Sequence, residues 1–193
     1  MRKSIYVYAC VAILFTACGN STKKENLQQD INQNKNQKMD SKITKSNEAK
    51  SISAVLDPYL SLKNALVEDN SEEAANTGKL LFDALVEFDQ SSVSDQQQEL
   101  AEIIEDAKMH AEHINENNGN IVHQREHFDV LSADIKDMVA IVGTDRTLYQ
   151  QYCPMYNDNK GGMWLSASNE IKNPFFGSKM LKCGKVQETI TIE

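Results

Sequence analysis

Four stretches between Asp57 and Gly143 repeat their apolar residues every three or four positions, and this repetition admits few folds other than a helical bundle. The first opens at Asp57-Pro58, an N-cap followed by a proline at the first helical position, and carries Tyr59, Leu62 and Leu66. The second follows the capping signal Asn70-Ser71-Glu72-Glu73 and aligns Ala74, Gly78, Leu81, Leu85 and Phe88. Ser94 with Gln97 opens the third, whose face is Leu100, Ile103, Ile104, Ala107, Ala111 and Ile114. The fourth runs from about Asn120 through Ile121, Phe128, Leu131, Ile135, Met138 and Val142 to Gly143. The connections are short, so the expected fold is mainly α, an up-and-down antiparallel four-helix bundle over residues 51–143.

After Gly143 the pattern changes. Gly161-Gly162, Asn173-Pro174 and Gly177 interrupt any long helix, and Met163-Trp164-Leu165 and Lys185 to Ile192 read as short strands. Residues 144–193 are therefore expected to form a small non-helical or β-containing tail, within one globular domain spanning 51–193.

The N-terminus has the layout of an export signal over residues 1–17. Basic Arg2-Lys3 precede a mostly apolar run from Ile5 to Ala17. At about 13 residues that run is short of the ~18 needed to span a membrane. Phe15-Thr16-Ala17-Cys18 resembles a bacterial lipobox, which makes Cys18 the expected lipid-bearing first residue of the mature chain. Residues 18–50 are rich in Asn, Gln, Lys and Ser and read as a disordered tether with an end-to-end distance of roughly 30 Å. This places the domain on a membrane through its lipid, facing the periplasm, with the outer membrane favoured because no Asp occupies position 20. Loss of Arg2 and Lys3 with the leader takes the formal charge from −8 to −10, which excludes nucleic acid as an expected partner.

Chemistry-bearing residues concentrate in the tail. Cys153-Pro154-Met155 and Met180-Leu181-Lys182-Cys183 supply two thiols and two thioethers, a set that selects Cu(I) and related soft ions. With Cys10 in the leader and Cys18 lipidated, Cys153 and Cys183 are the cysteines left to the domain. Export to an oxidising compartment makes a Cys153–Cys183 disulfide with core methionines the competing reading. Trp164, between the pairs, reads either as a core residue or as a cation–π cap on a bound ion. The second set is histidine. His110 and His113 on the third helix, with His123 and His127 on the fourth, flank a short connection. An antiparallel hairpin then sets His113 nearly level with His123, and His110 with His127. They read as a secondary metal site, as ordinary surface, or, for His127, as a group supporting the Cys-Pro-Met turn; Arg125 beside them opposes a cation. A Cys153–His127 catalytic pair is conceivable, but nothing in the sequence brings the two together, so no enzymatic activity is expected.

The segments Tyr152-Cys153-Pro154-Met155, Gly162-Met163-Trp164-Leu165-Ser166, Glu170-Ile171-Lys172-Asn173-Pro174-Phe175-Phe176-Gly177 and Met180-Leu181-Lys182-Cys183-Gly184 resemble an exported bacterial family, domain of unknown function 3347. Tyr59 to Leu66 and His123-Gln124-Arg125-Glu126-His127-Phe128 resemble it as well, so the likeness runs from Val55 to Thr191. Members often accompany heavy-metal efflux genes or are fused to the periplasmic adaptor of copper and silver efflux pumps. The resemblance thus implies metal handling and an efflux adaptor as partner. The resulting expectation is a lipid-anchored protein that buffers a soft metal or passes it to efflux. The alternative is a structural or interaction lipoprotein stapled by the disulfide.

The anchor hypothesis rests on the ordered basic, apolar and Cys18 segments. Cys18→Ser is expected to move the protein from the membrane fraction to the soluble periplasm. Retention in the pellet after a high-salt wash overturns it.

Overall fold

The computed structural model describes residues 40–91 and 93–192, with side chains described from Ile52 onward. The leader, Cys18 and the tether up to residue 39 lie outside the described residues. Four long helices follow in order: α1 (Asp40–Val67), α2 (Ser71–Val86), α3 (Gln97–Glu116) and α4 (Ile121–Val142). Each packs on the next, and α4 returns to α1, giving the up-and-down bundle.

Two helix starts differ from the sequence reading. α1 does not begin at Asp57-Pro58 but runs through Pro58 from Asp40, so residues 40–50 are helical rather than part of a disordered tether. Proline inside a helix removes a donor and crowds the carbonyl four residues back. Here that carbonyl belongs to exposed Ala54, where water can reach it. Asp57, freed from capping, accepts from Arg146 Nη1 at 2.6 Å and so links α1 to the start of the tail. The stripe of Tyr59, Leu62 and Leu66 also continues backwards through Ile52, Val55 and Leu56, all buried. Ser94 does not cap α3: its hydroxyl bonds the neighbouring Asp95 carboxylate, and the helix starts after Gln96 without a side-chain cap.

The other boundaries follow their signals. Asn70 caps α2 through the Glu73 amide, and Asn120 caps α4 through the His123 amide. Gly143, with φ 81°, ends α4. Gly78 sits where α2 and α3 come closest; a Cβ there would lie 3.1 Å from the Ala111 carbonyl and from Ile114. That contact accounts for a glycine in mid-helix, where it otherwise costs about 1 kcal/mol against alanine.

The tail is a three-stranded antiparallel sheet in the order β2-β1-β3, built from β1 (Leu148–Cys153), β2 (Gly162–Ser166) and β3 (Lys185–Ile190). β2 and β3 fall where the strand signals lie, whereas β1 was not anticipated. β2 packs on α4 and α1. A run of aromatic rings joins bundle to tail: Tyr59 stacks on Phe128 at 5.5 Å, Phe128 meets Phe175 at 5.9 Å, and Phe175 meets Trp164 edge-on at 5.8 Å. Tyr59 is fully buried and its hydroxyl has two partners, Ser132 Oγ at 2.9 Å and the Leu165 amide at 3.0 Å.

Tyr59→Phe keeps the ring but strands the Leu165 N–H and the Ser132 hydroxyl in the core. The expected loss is about 1–3 kcal/mol of unfolding free energy, measured by urea titration of the folded chain. A loss below about 0.5 kcal/mol would show that the tail is not held through this hydroxyl.

Candidate functional site

Cys153 ends β1 and is fully buried, while Cys183 lies half-buried in the turn that leads into β3. Both are free cysteines, and their sulfurs face each other at 2.9 Å. The sheet brings them together: β1 pairs with β3 through Tyr152 opposite Lys185, two residues past Cys183. Asn173 then fixes the turn. Fully buried, it donates from Nδ2 to the Cys183 carbonyl at 2.8 Å, and its amide donates to the Leu181 carbonyl at 2.9 Å. Met180 and Cys183 bracket a tight turn, with the Cys183 amide donating to the Met180 carbonyl. Gly184, at φ 146°, lets that turn lie on the Trp164 ring, 3.0 Å from where a Cβ would stand.

The hydrogen bond with Cys153, followed by burial, pushes the Cys183 thiol up to about 11, against a smaller opposing effect from the Met155 amide. The Cys183 thiol is therefore protonated at neutral pH, and a metal binding to it must displace that proton. Of the two methionines, Met155 is 50% exposed beside the pair and Met180 is half-buried. Trp164 is a core residue, fully buried, whose indole N–H has no hydrogen-bond partner among the described residues.

The histidines converge on one face of the α3–α4 hairpin. His127 is the centre: its Nδ1 is 2.9 Å from His110 Nδ1, its Nε2 is 3.2 Å from His123 Nε2, and its ring stacks on His113 at 4.6 Å with 7° between planes. His123 Nδ1 in turn lies 2.9 Å from Glu126 Oε2. Buried Gln124 sets the hairpin register, donating to the carbonyls of Ser71 and Ile114 at 3.0 Å and accepting from the Ser71 hydroxyl, which also receives the Gly119 amide. Arg125 turns away from the histidines and into the protein, so it does not oppose a cation there. His127 bonds histidines rather than the Cys-Pro-Met turn. Burial first, and then repulsion from His113, His110 and His123, lowers the His127 pKa to about 4, with Glu126 acting in the opposite sense. Burial also lowers His110, opposed by Asp106. As the side chains stand, no group of three or more His, Cys, Asp or Glu among the described residues is set to hold a metal ion.

A cavity of about 540 Å³ lies where α4 meets the tail, lined by Glu126, Asp129, Tyr156 and Phe175 among others. Burial raises the Asp129 carboxyl to about 6, and raises the Tyr156 hydroxyl to about 12 with help from Asp129 and Glu126. No sequence signal marked this cavity, since its walls come from segments far apart in the chain. Glu126 had a signal that went unused, its three-residue spacing from His123. Asn173 had none beyond the turn-forming Asn-Pro pair.

Residues 55–147 match the family model described as "Protein of unknown function (DUF3347)". The match ends ahead of β1, so both sulfur segments lie beyond it. Neither a curated protein nor a solved structure matches the chain.

The depressed His127 pKa carries a sign for stability. Between pH 6.5, its ordinary value, and about 4, the unfolded chain takes up a proton that the folded hairpin refuses, so folding stability falls with pH across that window. The raised carboxyls of Asp129 and Asp134, both at about 6, act in the opposite sense, but they are present in wild type and variant alike. His127→Gln should therefore gain on wild type in urea titrations as pH is lowered from about 7 to about 4.5. A pH-independent difference would show that His127 titrates normally.

Proposed function

We propose that this chain, a member of the DUF3347 family over residues 55–147, is a lipid-anchored, periplasm-facing protein that binds a soft metal ion, Cu(I) above others. In this reading it buffers the ion or passes it to an efflux adaptor. The observation that carries the reading is the meeting of two free thiols 30 residues apart in sequence, with sulfurs 2.9 Å apart and the Met155 backbone amide against Cys183. Thiolate and thioether are soft ligands, and the ion they select is Cu(I) rather than a hard cation. The export-type N-terminus and the efflux association that the family resemblance implies agree with it.

The geometry sets one requirement. Two metal–thiolate bonds of about 2.3 Å at a tetrahedral angle need sulfurs about 3.8 Å apart. Cys153 is held in the strand, so the movement falls to Cys183 in its turn. Half-exposed Met155, whose backbone amide already contacts the Cys183 sulfur, is placed to swing its thioether in as the third ligand. Two-electron oxidation by an oxidant of the export compartment, with loss of both thiol protons, instead closes the gap to about 2.05 Å as a disulfide. This second reading, a structural or interaction lipoprotein, is favoured by the full burial of Cys153.

Titration of the reduced chain with Cu(I) is expected to show one ion per chain, with affinity rising with pH as the thiols deprotonate. Met155→Leu and Met180→Leu should weaken binding while changing stability by less than about 1.5 kcal/mol. Unchanged affinity in the double variant, with a disulfide that persists in cells supplied with copper, leaves the structural reading standing.

A further inference from the structure

We propose a second metal site, independent of the thiols, in which His123 Nε2 and His127 Nε2 chelate a borderline divalent transition ion such as Zn(II) or Cu(II) and His113 completes the set. The argument is one of tautomers. The Glu126 carboxylate only accepts, so the hydrogen bond to His123 Nδ1 fixes the proton on that nitrogen and leaves Nε2 as a lone pair. His127 Nδ1 faces His110 Nδ1 at 2.9 Å, a contact that requires a proton on one of the two. With that proton on His110, His127 Nδ1 accepts and its Nε2–H donates to His123 Nε2 at 3.2 Å, so a single proton stands between the two Nε2 atoms. An ion bound by both Nε2 atoms takes the place of that proton, with His127 shifting to its Nδ1–H tautomer and His110 to its Nε2–H tautomer. Two nitrogens bound at 2.0–2.1 Å to a tetrahedral ion are separated by about 3.3 Å, close to the separation already present.

The surroundings suit an ion. Glu126 behind His123 and His110 behind His127 occupy the positions of the outer hydrogen-bonding groups that orient ligand imidazoles and fix their tautomers. His113 lies face-on to His127 at 4.6 Å, and rotation about its side-chain bonds exchanges stacking for coordination. His123 is 40% exposed, so an ion reaches the pair from solvent. The nearby charged groups are the carboxylates of Asp106 and Glu126, while Arg125 points into the protein. Imidazole nitrogen suits Zn(II) and Cu(II), whereas the thiols suit Cu(I), so the two sites select different ions.

The test uses the full chain with Cys153→Ser and Cys183→Ser, which removes the thiols from the competition, and Zn(II) as probe in the presence of a competing chelator. One equivalent is expected to bind, with zinc shifting the ring-nitrogen NMR signals of His123 Nε2 and His127 Nε2 but not that of His123 Nδ1. Adding His123→Gln and His127→Gln should weaken zinc binding by tenfold or more, and Glu126→Gln by about tenfold with helicity unchanged. No zinc binding by the chain carrying Cys153→Ser and Cys183→Ser up to about 1 mM, or affinity within about twofold of that parent in the double histidine variant, overturns the site. Failure of the Cu(I) titration leaves this result untouched, because the zinc experiment lacks the thiols.

Discussion

A buried guanidinium has to find its hydrogen-bond partners inside the protein, and Arg125, on α4, finds them on two other segments, the end of α1 with its following turn and the tail loop. Its Nε donates to the Pro174 carbonyl at 2.7 Å, and its Nη2 to the Leu66 carbonyl at 2.7 Å and the Asp69 carboxylate at 2.6 Å. Asp69 passes the connection on, accepting from the amide and hydroxyl of Ser178. Burial works against its charge, but these bonds outweigh that effect and hold its pKa at about 2. Gly177 lies against the pair so closely that a Cβ would meet Asp69 at 2.1 Å. The end of α1, the body of α4 and the tail loop are thereby fixed to one another. A helix turns 100° per residue, so a position two residues from Arg125 points 200° away. Pinning Arg125 inward therefore presents His123 and His127 to α3.

The aromatic run from Tyr59 through Phe128 and Phe175 to Trp164 does for the apolar interior what Arg125 does for the polar one. It explains why Trp164 is packed rather than ligand-facing: its ring is enclosed by Phe175 on one side and the glycine turn at Gly184 on the other. A substitution along this run is felt at the sulfur pair, because the turn bearing Cys183 rests on the indole.

The bundle was legible because the information for each amphipathic helix lies within its own twenty or so residues, and the caps at Asn70, Asn120 and Gly143 are local as well. The meeting of His110 with His127 was legible for the same reason, since a four-residue connection leaves little freedom of register, whereas His113, expected level with His123, stacks on His127. Pro58 misled because a strong local start signal was overruled by the buried stripe of Ile52, Val55 and Leu56 on its N-terminal side. β1 was hidden by its two glutamines. Gln151 is fully buried, and its Nε2 donates to the carbonyls of Ser168 and Glu170, partners no window around it contains, while its Oε1 has no partner among the described residues. The identities of the sulfur residues were plain, but their mutual placement depends on Asn173 and on the β1–β3 register, which is set at long range.

That register includes an irregularity between Gln150 and Gln151, just before the strand delivers Cys153 to Cys183. A slip of one residue in β1 would turn the thiol to the opposite face of the sheet. Contact between the sulfurs thus reports, at a single point, that a non-local pairing has been completed correctly, and such pairings form late because loop closure precedes their reward. An ion that binds only to sulfurs brought together in this register returns its binding free energy to the tail as resistance to unfolding. The cysteine pair is in this sense a latch.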